Sequence, residues 1–199
     1  MRANKKKFIY LISPNKIYKK FFKDLQKLLE TGKISFFQLR LKKYSFKHKI
    51  LIGKKIKNIC KKNKVKFLIN DDPILAKRLG ADGCHLGQKD MNIKEARKII
   101  GKQIIGITCH NSINFAKKAI KAKVSYLAFG AFYSSNTKKT NHVANIKILK
   151  KIKKITNTPV PQGTLITRSR PETPVHLFGP PRRPSSAANN RLYLKSSRV

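Results

Sequence analysis

The stretch INDDPILAKRLGADGCHLGQKD, residues 69–90, holds Asp71, Asp72, Asp82 and Asp90, half of the eight acidic residues in a chain with 47 lysines and arginines. Carboxylates this scarce and this concentrated invite a chemical reading. Two of them at neighbouring strand ends could hold one hard divalent cation, with waters and a substrate phosphate completing an octahedron. Magnesium suits such a donor set. The competing reading is structural: Asp71 and Asp72 precede Pro73, a good helix-start signal, and Asp82 lies in a GADG turn. We expect Asp72 to cap the helix and Asp82 to serve the turn. Asp71 and Asp90 are then expected to reach one rim, about 5 to 10 Å apart by strand spacing.

Other segments offer cations and hydroxyls. In FFQLRLKK, Gln38, Arg40 and Lys42 alternate, so they share one face of an extended segment, a costly arrangement in an interior unless it meets a ligand. FGAFYSSNTKKT supplies Ser134, Ser135, Asn136, Thr137 and Lys138, the hydroxyls, amides and lysine that a phosphate-binding loop needs. A plain polar turn explains the same text. Cys60, Cys84 and Cys109 lack CxxC spacing and read as small buried residues. His85 and His110 adjoin two of them without close ligand spacing, so no zinc site is expected.

These residues must be held by a frame, and the frame is legible as short apolar runs alternating with amphipathic segments every 20 to 25 residues or so, the rhythm of βα units over a parallel sheet. Strands are expected at 8–12, 34–41, 66–70, 83–86, 104–108 and 125–130. Helices are expected at 17–30, 47–62, 73–80, 93–100, 113–122 and 144–155, with apolar sets such as Phe21, Leu25, Leu28 and Leu29 at helical spacing. In such a sheet, chemistry collects where the carboxyl ends of the strands open onto one face. Asn70 and Asp71 end one strand; Gly87 to Asp90 follow the next.

With 199 residues and 40% hydrophobic residues, the chain can bury a real core. It has no apolar run of the roughly 18 to 20 residues that would span a membrane, and FIYLI near the start reads as a buried strand, not a signal peptide. A reducing cytoplasm fits the cysteines. The formal charge of +39 favours unspecific attraction to polyanions over a dedicated nucleic-acid surface, because the lysines are spread through helices and loops alike. From Pro161 the text changes: residues 161–199 contain six of the ten arginines and six of the nine prolines but one lysine. We divide the chain into a folded part, 1–160, and a Pro/Arg/Ser-rich tail, 161–199, expected to be disordered. The switch is abrupt enough to suggest an altered reading frame or a fusion scar.

QLRLK (38–42), INDDPILAKRLGADGCHLGQKD (69–90), IGITCHN (105–111) and YLAFGAFYSSNTKK (126–139) resemble, in order and spacing, the thiamine phosphate synthase family over residues 7–160. The resemblance implies an α/β fold of the (βα)8 TIM-barrel type, here incomplete, with about six βα units. It implies a transferase that condenses a hydroxymethylpyrimidine diphosphate with a thiazole phosphate, releasing diphosphate and forming thiamine phosphate. Carried over, Asp71 and Asp90 would bind Mg2+. Gln38, Arg40, Lys42 and Asn70 would hold the pyrimidine diphosphate, Lys138 its phosphates. Thr108 stands where the family usually has a serine near that substrate. Ser135, Asn136 and Thr137 occupy the loop for the thiazole phosphate, where Thr-x-Thr is more usual. No covalent nucleophile is implied.

The partners implied are small-molecule substrates, with no specific nucleic acid and no membrane; a homo-oligomer is compatible with the sequence. After TPV (158–160), the seventh and eighth strands and the glycine pair of a complete member do not follow. That lack is expected to leave the chain unstable or inactive, because six strands do not close a barrel. The related thiazole tautomerase, an isomerase on a similar barrel, does not require paired metal aspartates, so Asp71 and Asp90 argue against it. A basic nucleic-acid-binding protein is the other rival.

Overall fold

A computed structural model describes residues 7–130, 132, 144–161, 176–177 and 196–198. Six parallel strands alternate with helices: β1 (Lys7–Ile12), α1 (Phe21–Glu30), β2 (Ile34–Leu39), α2 (Phe46–Lys62), β3 (Lys66–Asn70), α3 (Pro73–Leu79), β4 (Gly83–Leu86), α4 (Ile93–Ile100), β5 (Ile104–His110), α5 (Ile113–Lys121), β6 (Tyr126–Phe129) and α6 (Lys147–Lys153). Strands β1 to β6 pair strictly with their sequence neighbours. This is the expected α/β order, a curled half of a (βα)8 barrel with each helix crossing back over the sheet.

Side chains alternate along each strand and divide the interior in two. One set, including Leu11, Phe37, Phe67, Ile69, Cys84, Leu86, Ile105 and Leu127, packs with Leu25, Leu29, Ile56, Ala76 and Ala96 of the helices into one large core. The opposite set meets inside the curl, where Tyr10, Leu68 and Tyr126 form a second cluster with Ile12, Phe36 and Ile104. Short polar side chains start most helices. Ser45, Asp72, Asn92 and Ser112 each accept a backbone N–H from the first turn, a contact that satisfies an otherwise orphaned donor. Gly80 ends α3 at φ 57°, where a left-handed residue closes the turn.

The boundaries depart from expectation where polar groups intervene. β2 stops at Leu39 instead of residue 41, because Arg40 N–H turns to Ser13 Oγ at 2.8 Å. Helix α1 begins at Phe21 and not at residue 17, and α6 at Lys147 after Asn145, whose Oδ1 accepts Lys147 N–H at 2.9 Å. β5 runs on to His110 through an irregularity between Thr108 and His110.

At one edge, Leu127 N–H donates to Pro159 O at 2.9 Å. The TPV segment thus returns to the place of a seventh strand but makes no regular ladder, as Pro159 has no N–H to offer. At the other edge, two short strands, β7 (His176–Leu177) and β8 (Ser196–Arg198), pair antiparallel with β1. The segment expected to be disordered therefore contributes these two pairings, and the β1 edge is partly covered. Edge N–H and C=O groups favour such additions. The rest of 162–199, where a seventh and eighth unit would fall, lies outside the described residues.

Candidate active site

The carboxyl ends of β2 to β5 form one rim, and the sequence brings its acids there by different routes. Asp71 directly follows β3. Its backbone is left-handed, φ 67°, a conformation that costs a non-glycine residue roughly 1 kcal/mol or more. The turn is held by Asp71 N–H, which donates to His85 O at 2.7 Å. Asp90 comes from the loop after β4. Its Oδ2 accepts Gly87 N–H at 2.6 Å, and a Cβ at Gly87 would lie 2.9 Å from that same oxygen, so the close approach depends on glycine.

The two side chains come close enough for Asp71 to act on the Asp90 carboxyl. Burial pushes that carboxyl above its ordinary range, Asp71 pushes it further, and Gly87 N–H and Lys42 oppose them. Lys42 Nζ stands 3.3 Å from Asp71 Oδ2.

The other two acids do structural work. Asp72 Oδ1 accepts Leu75 N–H at 2.8 Å and caps α3. Asp82 receives Phe67 N–H at 2.9 Å and Lys66 Nζ at 2.8 Å, bracing β3 against β4 at the opposite end of the strands.

The cationic side divides. Gln38 is buried, on the same strand face as Phe36 and inside the curl. Arg40 Nη1 donates to Asn15 Oδ1 at 2.6 Å, in the loop after β1, while Lys42 turns to Asp71. The three share a rim but not a single cluster. Asn70, the last residue of β3, lies opposite His85 of β4. Thr108 Oγ1 lies 2.9 Å from His85 Nε2, and its carbonyl accepts the amide of Gln88. Beside Asp71, but not lined by Asp90, opens a cleft of about 470 Å3 whose wall combines Lys42, Lys49 and Asn70 with Leu39, Ile69 and Leu75. Ser134, Ser135, Asn136, Thr137 and Lys138 lie outside the described residues.

Sequence reasoning missed the polar chain that backs this rim: Tyr10, Tyr126 and His85. The tyrosines sit in apolar runs and read as core. Gly106 in IIGIT was the available signal, since a Cβ there would fall 1.8 Å from the Tyr126 ring.

The donor set fits a hard cation. Two neighbouring carboxylates repel unless a proton or a metal lies between them. Among the described residues no group of three or more His, Cys, Asp or Glu side chains could hold a metal. Water and ligand oxygens would have to supply the remaining positions, a pattern of cations that travel with phosphates. The three thiols are buried and pushed up to about 12, chiefly by that burial, and so remain inert.

A parallel half-barrel whose loops gather polar and charged side chains at the carboxyl ends of its strands is the frame of a barrel-type enzyme. The chain matches the TMP-TENI family, described as thiamine monophosphate synthase, over residues 9–163 and belongs to it. It is 63% identical over 163 residues to a thiamine-phosphate synthase of Pelagibacter ubique, covering 80% of this chain and 79% of that protein. It is 42% identical to one from Erythrobacter litoralis, covering 65% and 62%. In structure it resembles a thiamine phosphate pyrophosphorylase from Pyrococcus furiosus, with a TM-score of 0.66 and 27% identity, over 75% of this chain and 70% of the other. Its function is that of the family, a transferase of thiamine biosynthesis.

Proposed function

We propose that the rim binds a pyrimidine diphosphate with one Mg2+ held by Asp71 and Asp90, and that the chain joins the pyrimidine methylene to the nitrogen of a thiazole phosphate. The observation that carries this reading is the placement of Asp71 and Asp90 by the turns after β3 and β4 at one rim, with Lys42 Nζ 3.3 Å from Asp71 Oδ2. Bound magnesium supplies positive charge for the oxygens of the departing diphosphate.

The protein supplies the rest by position. Lys42 and Arg40 lie at the end of β2, where cations fixed in advance neutralise a leaving anion without reorganising. The C–O bond of the methylene breaks with its electron pair going to diphosphate, and the resonance-stabilised pyrimidine cation accepts the thiazole nitrogen lone pair. Gln38 and Asn70 are read as holding the pyrimidine half, and Thr108 as donating to the same substrate. Ser135, Asn136, Thr137 and Lys138 are read as the loop for the phosphates. No nucleophilic side chain takes part, in keeping with the inert thiols.

The partners in this reading are small molecules, without specific nucleic acid; a homo-oligomer is compatible with it. Among the described residues no helix is long and apolar enough to cross a membrane, and a cytoplasmic site of action suits three unpaired cysteines. The test is a steady-state assay of thiamine phosphate formation with and without Mg2+. Magnesium-dependent product that disappears in both Asp71→Asn and Asp90→Asn supports the reading. Product formation undiminished by chelator and by both variants would overturn the metal assignment.

A further inference from the structure

Beneath the rim, four polar side chains from four strands form an unbroken chain. Tyr10 Oη of β1 lies 2.8 Å from Tyr126 Oη of β6. Tyr126 Oη lies 2.8 Å from His85 Nδ1 on β4. His85 Nε2 lies 2.9 Å from Thr108 Oγ1 on β5.

The packing is arranged to permit this. Gly106 leaves the space that the Tyr126 ring fills. That ring stacks on His85, with centroids 5.6 Å apart and planes at 22°, and meets Tyr10 edge-on. Both tyrosines are buried and surrounded by Leu68, Phe36 and Ile104. Burial pushes both phenols upward, so they stay protonated as donors. Placing two phenol hydroxyls in such an interior is unfavourable unless they are hydrogen-bonded, and phenylalanines would fill the same volume.

The chain can run in two directions, and they differ at the substrate end. If Tyr10 donates to Tyr126 and Tyr126 to His85 Nδ1, then Nε2–H donates to Thr108 Oγ1. The single Thr108 proton then remains available to an anionic oxygen above the rim. In the reverse direction Thr108 spends that proton on Nε2.

We propose that Tyr126, held by Tyr10, is a positioning residue that fixes His85 as the Nε2–H tautomer and so aims the Thr108 hydroxyl proton at the substrate. The inference rests on the reading of Thr108 as a substrate contact. Thr108 is then fixed twice, through its carbonyl by Gln88 and through its hydroxyl by His85.

The test uses the whole chain and the variants Tyr126→Phe, Tyr10→Phe, Thr108→Val and the Tyr126→Phe/Thr108→Val pair. Phenylalanine keeps the ring over Gly106, and melting curves verify the fold. We expect the 15N spectrum of the wild-type imidazole to show His85 as Nε2–H, and Tyr126→Phe to disturb it. We expect Tyr126→Phe and Thr108→Val each to lower kcat about tenfold, one hydrogen bond in the transition state, with a smaller change in KM. Tyr10→Phe should lower kcat less. The pair should be no slower than Thr108→Val alone, because both act through one hydroxyl.

An Nδ1–H tautomer in the wild type overturns the proposal, as do multiplicative losses in the pair. Slowing in Thr108→Val with Tyr126→Phe unaffected overturns the relay alone. Unchanged kcat in Thr108→Val overturns the substrate contact and the relay with it.

Discussion

Asp71 and Asp90, carried by the turns after two adjacent strands, lie close enough for Asp71 to raise the Asp90 carboxyl, and Lys42 Nζ stands 3.3 Å from Asp71 Oδ2. Without a cation, two such acids repel when both are charged. Asp90→Asn removes the repulsion and keeps an oxygen for Gly87 N–H. The metal-free variant should therefore melt at the wild-type temperature or above it. It should lose the rise in melting temperature that magnesium with diphosphate gives the wild type. Thermal melts of both proteins, with and without these ligands, check the pair of outcomes.

The burial of Asp90 beside Asp71 sets a pH dependence. Asp90 has a native value above its ordinary 3.8, so the native chain binds this proton more tightly than the unfolded one. That stabilisation is complete below about 3.8 and is lost as pH rises through the native value. Magnesium affinity moves oppositely, gaining as the proton leaves. Melting temperatures measured against pH should separate progressively with and without magnesium as the solution is made less acidic. Curves that stay parallel would count against a proton held on Asp90 in the native chain.

Lys42 contributes charge more than stability. Its side chain is 56% exposed, and such pairs contribute at most about 1 kcal/mol. Lys42→Met should leave urea unfolding within about 0.5 kcal/mol of wild type while weakening magnesium-dependent diphosphate binding by about tenfold, a loss of 1.4 kcal/mol. Isothermal titration with diphosphate measures the second effect.

Asp72 provides the contrast to its neighbour. Removing the cap of α3 by Asp72→Ala should destabilise the chain by about 1 kcal/mol with little effect on magnesium affinity. Asp71→Ala should do the reverse. Side-by-side denaturation and metal titration of the two variants separate a structural acid from a binding one.

Gly106→Ala should be severe. Its Cβ would fall 1.8 Å from the Tyr126 ring, which is buried and bonded at its hydroxyl to both Tyr10 and His85. Overpacking of this kind costs about 1 to 3 kcal/mol or more, and the ring can yield only by breaking the polar chain. Denaturant unfolding gives the cost, and loss of the His85 ring signature would show where the strain goes.

The order of elements was legible because apolar periodicity and caps agree: Asp72, Pro73 and Gly80 mark the start and end of α3 in the text as they do in space. The Asp71–Asp90 pair was legible for a related reason, since strand ends in a parallel sheet are forced to one rim. The paths of Arg40 and Lys42 were not, because Ser13 ends β2 early and the two side chains lie beyond regular alternation. The Tyr10–Tyr126–His85 chain was hidden for a different reason. Its members lie 116 and 41 residues apart, and nothing local distinguishes a tyrosine that stacks from one that bonds. The pairings of His176–Leu177 and Ser196–Arg198 with β1 also escaped a reading based on composition, which weighs core-forming capacity and not an open ladder.

The left-handed backbone of Asp71 has a consequence for how this position can change over generations. Glycine would relax the turn and yield a hardier fold, so drift toward durability alone pulls residue 71 away from a carboxylate. Only a need for its charge pulls back. Libraries screened for thermal endurance without a demand for product should enrich glycine there, and the survivors would be sturdy and idle.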